Sequence, residues 1–187
     1  FVSFDTASKV ADTAQEDVWD IAFLAIDPKR AESIAYSAPY VLIEGTYMVR
    51  DDSPIKDIED VDHEGVTVAV GKGAAYDLFL SRTLKKAEIV RYPLSEDAIE
   101  RFDADGISTV AGVRQPLNTH ADQFPGYRVL EGHFTVIEQA MGCPRGRDKA
   151  AALVRRYLEF AKASGMVADG LQRTGEGDAT VAPPALA

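Results

Sequence analysis

Two hydrophobic rhythms divide this chain. Short, nearly continuous apolar runs at 20–26, 41–50, 66–70, 88–92, 107–113, 127–130 and 134–141 read as strands. The first of these is apolar almost throughout and bounded by turn residues, which predicts a strand buried on both faces. Helical spacing occupies 7–17, where Val10, Ala11 and Ala14 follow a candidate cap at Asp5 or Thr6, and recurs at 74–86, 95–101, 117–123 and 166–173. The clearest helix is 147–162: Ala151, Val154, Leu158 and Ala161 share one face, Asp148 sits near its positive end and Ser164-Gly165 stops it. Residues 1–4 read as the end of a strand, 55–63 as a polar connection with a short turn, and 176–187 as an extended, loosely held tail.

Strands alternating with helices predict βαβ units and an α/β fold with mainly parallel sheets. Two such cycles with a long polar connection between them fit two lobes better than one sheet. With 187 residues, 46% of them hydrophobic, the chain can bury one good core or two small ones. The net charge of −10, with no basic stripe, excludes a nucleic-acid partner. A single cysteine, Cys143, precludes an intrachain disulfide and leaves the redox compartment open. No run of 18 apolar residues encodes a membrane span. The chain opens on Phe1 rather than Met and shows no signal peptide, so it is expected to start partway into a longer protein.

Candidate chemistry is concentrated at two turns. The strand at 21–26 runs into Asp27-Pro28, which delivers Arg30 at the strand's carboxyl end, where α/β folds bind small ligands. A guanidinium there offers a fixed fork of donors to a carboxylate; the alternative is a helix-start arginine on a solvated face. Gly71-Lys72-Gly73-Ala74-Ala75 joins a strand to a helix N-terminus, an arrangement that presents N–H groups to anions, although an ordinary βα turn looks the same. No Gly-Lys-Ser/Thr follows, which argues against nucleotides. His63, His120 and His133 lack metal-ligand spacing, no Gly-x-Ser-x-Gly elbow occurs, and Asp103 with Asp105 reads as a solvated turn. No catalytic residue, metal or cofactor is implied.

The stretch Trp19-Asp-Ile-Ala-Phe-Leu-Ala-Ile-Asp-Pro-Lys-Arg30, with Ser37-Ala-Pro-Tyr40 after it, resembles the bacterial extracellular solute-binding proteins of family 3, the periplasmic receptors of polar amino-acid ABC importers. The resemblance implies a two-lobe type II periplasmic-binding-protein fold whose first strand and helix are missing. Lobe one would hold 1–49 and 132–187, lobe two 50–131, and the hinge strands would lie near 45–50 and 131–136. It also implies periplasmic localisation, docking to an ABC permease, and a small anionic or zwitterionic solute held in the interlobe cleft.

Carried over to this sequence, Arg30 would grip the solute's carboxylate. The backbone of Ala25 and Ile26 would line the pocket, with Ala25 where the family often has Ser or Thr. Lys72, Gly73, Ala74 and Ala75 would form the second jaw. Tyr40 is the best wall among Trp19, Phe23, Tyr40, Tyr47 and Tyr76. Arg114 departs from the family, which has an aspartate there for the ligand's ammonium. Either the solute lacks an α-amino group and Arg114, facing it with Arg30, favours one or two carboxylates, or another carboxylate such as Glu44 serves; the alternative for Arg114 is a hinge or surface salt bridge. Two other roles suit the same fold: a cyclohexadienyl dehydratase-like enzyme with Glu44 as general acid, and the effector-binding module of a regulatory protein.

Overall fold

Segments with the strongest apolar runs become strands with little adjustment. In the computed structural model, which describes residues 1–177 and 179–186, the elements in chain order are α1 (Ala7–Asp12), β1 (Ala22–Ala25), β2 (Ile34–Tyr36), β3 (Val41–Arg50), β4 (Thr67–Gly71), α2 (Ala75–Thr83), β5 (Glu88–Tyr92), α3 (Ser95–Arg101), β6 (Thr109–Val113), α4 (Arg114–Gln123), β7 (Tyr127–Val129), β8 (Thr135–Pro144), α5 (Asp148–Ala163), α6 (Met166–Thr174) and β9 (Thr180–Val181). They divide into two compact units, Phe1–Ile43 with Ile137–Ala187, and Glu44–Val136. The chain passes from one unit to the other inside β3 and again at the start of β8.

In the second unit β4 pairs in parallel with β5 and with β6, while β3 runs antiparallel to β6 and to β7. Residues 68–71 of β4 are all buried, so both faces of this central strand are covered. The core comprises Met48, Ala69, Tyr92, Ala98, Ile99, Phe102, Ile107, Val110 and Leu117. Each large apolar side chain buried there contributes about 1.5–3 kcal/mol. Thr46, fully buried in β3, donates its hydroxyl to the carbonyls of Leu130 (3.3 Å) and Gly132 (3.1 Å), so the polar group is satisfied. At the end of β4 a Cβ on Gly71 would lie 2.8 Å from Ser95 Cα, so only glycine lets α3 start this close.

The first unit corrects the expectation of a mainly parallel sheet: β1 and β2 both pair antiparallel with β8, and β9 pairs antiparallel with β3. It gathers Ala14, Trp19, Ala22, Leu24 and Ile34 into one cluster, and Met141, Val154 and Leu158 into another. Here β1 is not buried on both faces, because Phe23 is 61% exposed between buried neighbours. The first helix ends at Asp12 rather than Asp17. Trp19 donates its indole N–H to the Val10 carbonyl (3.2 Å), and Ala14 bonds three residues back to Ala11, which tightens and closes the last turn. Thr6 is the N-cap, accepting the Lys9 amide.

Residues 1–4 form no strand. The tail is docked rather than loose: β9 pairs with Val41 and Leu42, Ala182 is 3% exposed, and Lys162 donates to the Pro183 carbonyl at 2.8 Å. Asp178 and Ala187, both within the stretch expected to be loose, lie outside the described residues. No helix of the described residues is long and apolar enough to cross a membrane.

Candidate functional site

Within the first unit, the β1 register fixes what Ala25 can do. Ile26 donates its N–H to Glu138 on β8 (2.9 Å), so Ala22, Leu24 and Ile26 direct their backbone groups to β8, while Phe23 and Ala25 direct theirs to the opposite edge. There the Ala25 carbonyl accepts from Arg30 Nη1 at 3.2 Å and from the Tyr36 hydroxyl at 3.2 Å. Asp27 builds the turn that brings Arg30 back: its Oδ1 accepts the amides of Lys29 (2.9 Å) and Arg30 (3.4 Å). Pro28, with its fixed φ, favours the bend.

Arg30 and Asp27 are 5% and 2% exposed, so the solvated-arginine alternative does not hold. Burial pulls the guanidinium's pKa below its ordinary value, and Tyr36 and Asp27 oppose that pull. Burial pushes the Tyr36 hydroxyl up to about 12, with Arg30 pulling the other way. The result is a charged, oriented donor fork at the carboxyl end of a strand, with Ala25, Ile26 and Arg30 in one cluster. Tyr36, absent from the residues picked out in the sequence, belongs to it; its spacing six residues past Arg30 gave no signal. Tyr40 stands apart, edge-on to Phe23 with ring centroids 6.3 Å apart, and burial raises its hydroxyl's pKa.

In the second unit, Lys72, Gly73, Ala74 and Ala75 form one turn leading into α2. The Lys72 amide bonds the Tyr92 carbonyl (2.8 Å) and the Ala74 amide bonds that of Gly71 (3.2 Å). Gly73 takes φ +74°, a left-handed conformation suited to glycine. Ala74 is the N-cap and has no side chain to cap the helix, so the first-turn amides of α2 have no help from that position. Lys72 is exposed beside them.

Arg114 and Glu44 also come together, in an ion pair with each other. Arg114 Nε donates to Glu44 Oε2 at 2.6 Å, Nη1 to the Leu130 carbonyl at 3.3 Å, and Nη2 to the Gly132 carbonyl. His133 Nδ1 lies 3.2 Å from the other Glu44 oxygen. Every guanidinium nitrogen is thus engaged inside the unit, and Arg114 is a strut between β3, α4 and the segment before β8. The hydrogen bond from Arg114 is the main reason the Glu44 carboxyl lies below its ordinary pKa, with His133 adding to it.

Of the remaining aromatic candidates, Trp19, Tyr47 and Tyr76 are core residues, 8%, 1% and 4% exposed. Asp103 and Asp105 are not simply solvated: Asp103 accepts from Arg50 (2.8 Å) and Tyr127 (2.9 Å), and Asp105 from Tyr92 (2.7 Å). Among the described residues no group of His, Cys, Asp and Glu could hold a metal ion.

No protein-family model matches the sequence, and no curated protein matches it. Solved structures do match, and they define a fold class, that of type II periplasmic solute-binding proteins. A solute receptor for L-cysteine of Neisseria gonorrhoeae is 18% identical, with a TM-score of 0.78 over 90% of this chain and 69% of that one. A histidine kinase sensor domain with similarity to periplasmic binding proteins is 18% identical, with a TM-score of 0.77 over 91% and 75%. An ancestral amino-acid-binding protein, a precursor of cyclohexadienyl dehydratase, is 21% identical, with a TM-score of 0.76 over 92% and 76%. At these identities the likeness shows the fold alone.

Proposed function

We propose that this chain is a solute-binding protein of an ABC importer, working in the periplasm, that captures a small carboxylate-bearing solute and presents it to the importer's permease. The observation that carries this reading is the buried, charged Arg30, folded by Asp27 onto the Ala25 carbonyl at the carboxyl end of β1. A buried guanidinium serves a carboxylate through two parallel charge-assisted bonds. Arg30 is the carboxylate contact in this reading. Within the second unit, the uncapped first turn of α2 with Lys72 beside it offers donors of the same kind.

The fold neighbours include an amino-acid receptor, which supports a solute of that size. The Glu44–Arg114 pair carries no net charge, so position 114 supplies no lone anion for an ammonium. We therefore favour an acid without an α-amino group, or an amino acid whose ammonium is met elsewhere. The dehydratase alternative is disfavoured, because Glu44 Oε2 is occupied by Arg114 Nε at 2.6 Å and that hydrogen bond lowers the carboxyl's pKa, the opposite of what a general acid needs.

The test is a thermal-shift screen of amino acids, keto acids, hydroxy acids and dicarboxylates, followed by calorimetry on the hits. The expected result is stabilisation by one carboxylate class with no turnover, abolished when the carboxylate is amidated. Preference for cationic or neutral ligands lacking a carboxylate would overturn the reading.

A further inference from the structure

Asp77 is a buried carboxylate that the solute-binding reading does not use. Its side chain is 4% exposed, in the first turn of α2. Oδ2 accepts the Gly73 N–H at 2.7 Å, four residues back. Arg91 on β5 donates Nε to both oxygens, at 3.1 and 3.3 Å, and Nη2 to Ser81 Oγ at 2.7 Å. Ser81 in turn donates to the Asp77 carbonyl at 2.7 Å. A buried charge retained with this many partners has a definite structural task, since an unpaired one would be costly.

We propose that Asp77 is a positioning residue for the Gly71–Ala75 turn. Its carboxylate, neutralised by Arg91, takes the Gly73 N–H and locks the left-handed turn, so that the amides of Ala75 and Tyr76, not that of Gly73, are presented to a solute's carboxylate. This rests on the reading that the turn meets a carboxylate. A Gly-Lys-Gly turn without Asp77 would leave the Gly73 amide open to any anion. With Asp77 in place a resident carboxylate fills that position, and the helix terminus offers donors at its first turn only. Arg91 offsets the charge from the neighbouring strand, which keeps Asp77 from repelling the solute.

The experiment uses the whole chain, amide hydrogen exchange by NMR, and acetate as the carboxylate probe. In the unmodified protein, acetate should shift the amide resonances of Ala75 and Tyr76 more than that of Gly73. Asp77→Ala should speed Gly73 exchange tenfold or more and move the acetate response from the amides of Ala75 and Tyr76 to that of Gly73, while the β4 amides of Val68 to Val70 keep their protection. Arg91→Gln, at a partly exposed position, guards against misfolding of the first variant and should produce smaller changes in the same direction. Unchanged Gly73 exchange in both variants, or an acetate response led by Gly73 in the unmodified protein, would overturn the proposal. If acetate moved none of these amides while Gly73 exchange still rose in the variants, the solute reading would fail at this turn and the locking role would stand.

Discussion

Replacing Arg30 by Lys and by Met separates its two roles. Met removes the bond to the Ala25 carbonyl, worth about 1 kcal/mol net, although Tyr36 still donates there. It also takes the neighbouring cation from Asp27, whose 2% exposure makes the loss expensive, about 1–3 kcal/mol more. Since 1 kcal/mol moves the Tm of a chain this size by about 2–4 °C, the Met variant should melt about 4–16 °C lower. Lys keeps a positive charge near Asp27 and should lose about 1 kcal/mol or less. Binding should respond differently. Removing one side of a buried hydrogen-bonded charge pair costs about 2–5 kcal/mol, so Met should weaken carboxylate affinity about 30-fold to several thousand-fold. Lys, which cannot make two parallel bonds, should lose about tenfold despite its near-normal stability. Differential scanning calorimetry without ligand and isothermal titration with the solute found by screening give the two numbers. If Lys bound as tightly as Arg, or Met retained the original affinity, Arg30 would be a structural residue and the solute site would lie elsewhere.

Gly71→Ala should lower the Tm, because its methyl would have to displace the Ser95 backbone at the start of α3; overpacking of this kind costs about 1–3 kcal/mol. Glu44→Gln should change the acid limb of stability. The folded-state pKa of Glu44 is depressed, so its contribution is present above the ordinary value of 4.5 and is lost as pH falls through the lower folded value. Urea midpoints measured on both sides of that value should therefore fall less steeply with acid in the variant, and an equal slope would count against the Arg114 pairing. Tyr36→Phe should change the alkaline limb. The folded-state pKa is raised from 10.0 to about 12, so the unmodified protein loses stability as pH rises across that interval and the variant should lack that part of the loss.

Local signals carried much of the fold. The continuous run beginning at Val41 became a strand with the bounds its pattern implied, as did β5 and α3, because each is delimited by turn residues that its neighbours cannot override. What failed was non-local. Pairing direction in the first unit depends on β8, whose partner Ala22 lies 120 residues away in sequence at Gly142, and alternation of strands with helices says nothing about that. The strand β2 is three residues long, below what periodicity resolves, and β9 is stabilised by pairing with β3 rather than by its own composition. At the site, the turn carrying Arg30 was legible because Asp-Pro acts within four residues. Tyr36 and Asp77 were not, since their roles depend on where a hydroxyl and a carboxylate point after the chain has folded.

Position 114 shows how a residue can be singled out in the sequence while its partners stay out of reach. As an isolated arginine after β6, it reverses the charge that the family resemblance predicts and points to a second anion contact. The structure supplies a carboxylate 70 residues earlier in the chain, at Glu44, and two carbonyls from the segment before β8. Moving the cation toward a ligand would break the bond to Glu44 and those to the carbonyls together, leaving Glu44 with His133 alone. Those lost bonds would offset much of what a carboxylate contact returns, because charged hydrogen bonds contribute about 1.5–3 kcal/mol each. The difference at this position is therefore a local one: a charge pair stands where the family resemblance implies a single acid.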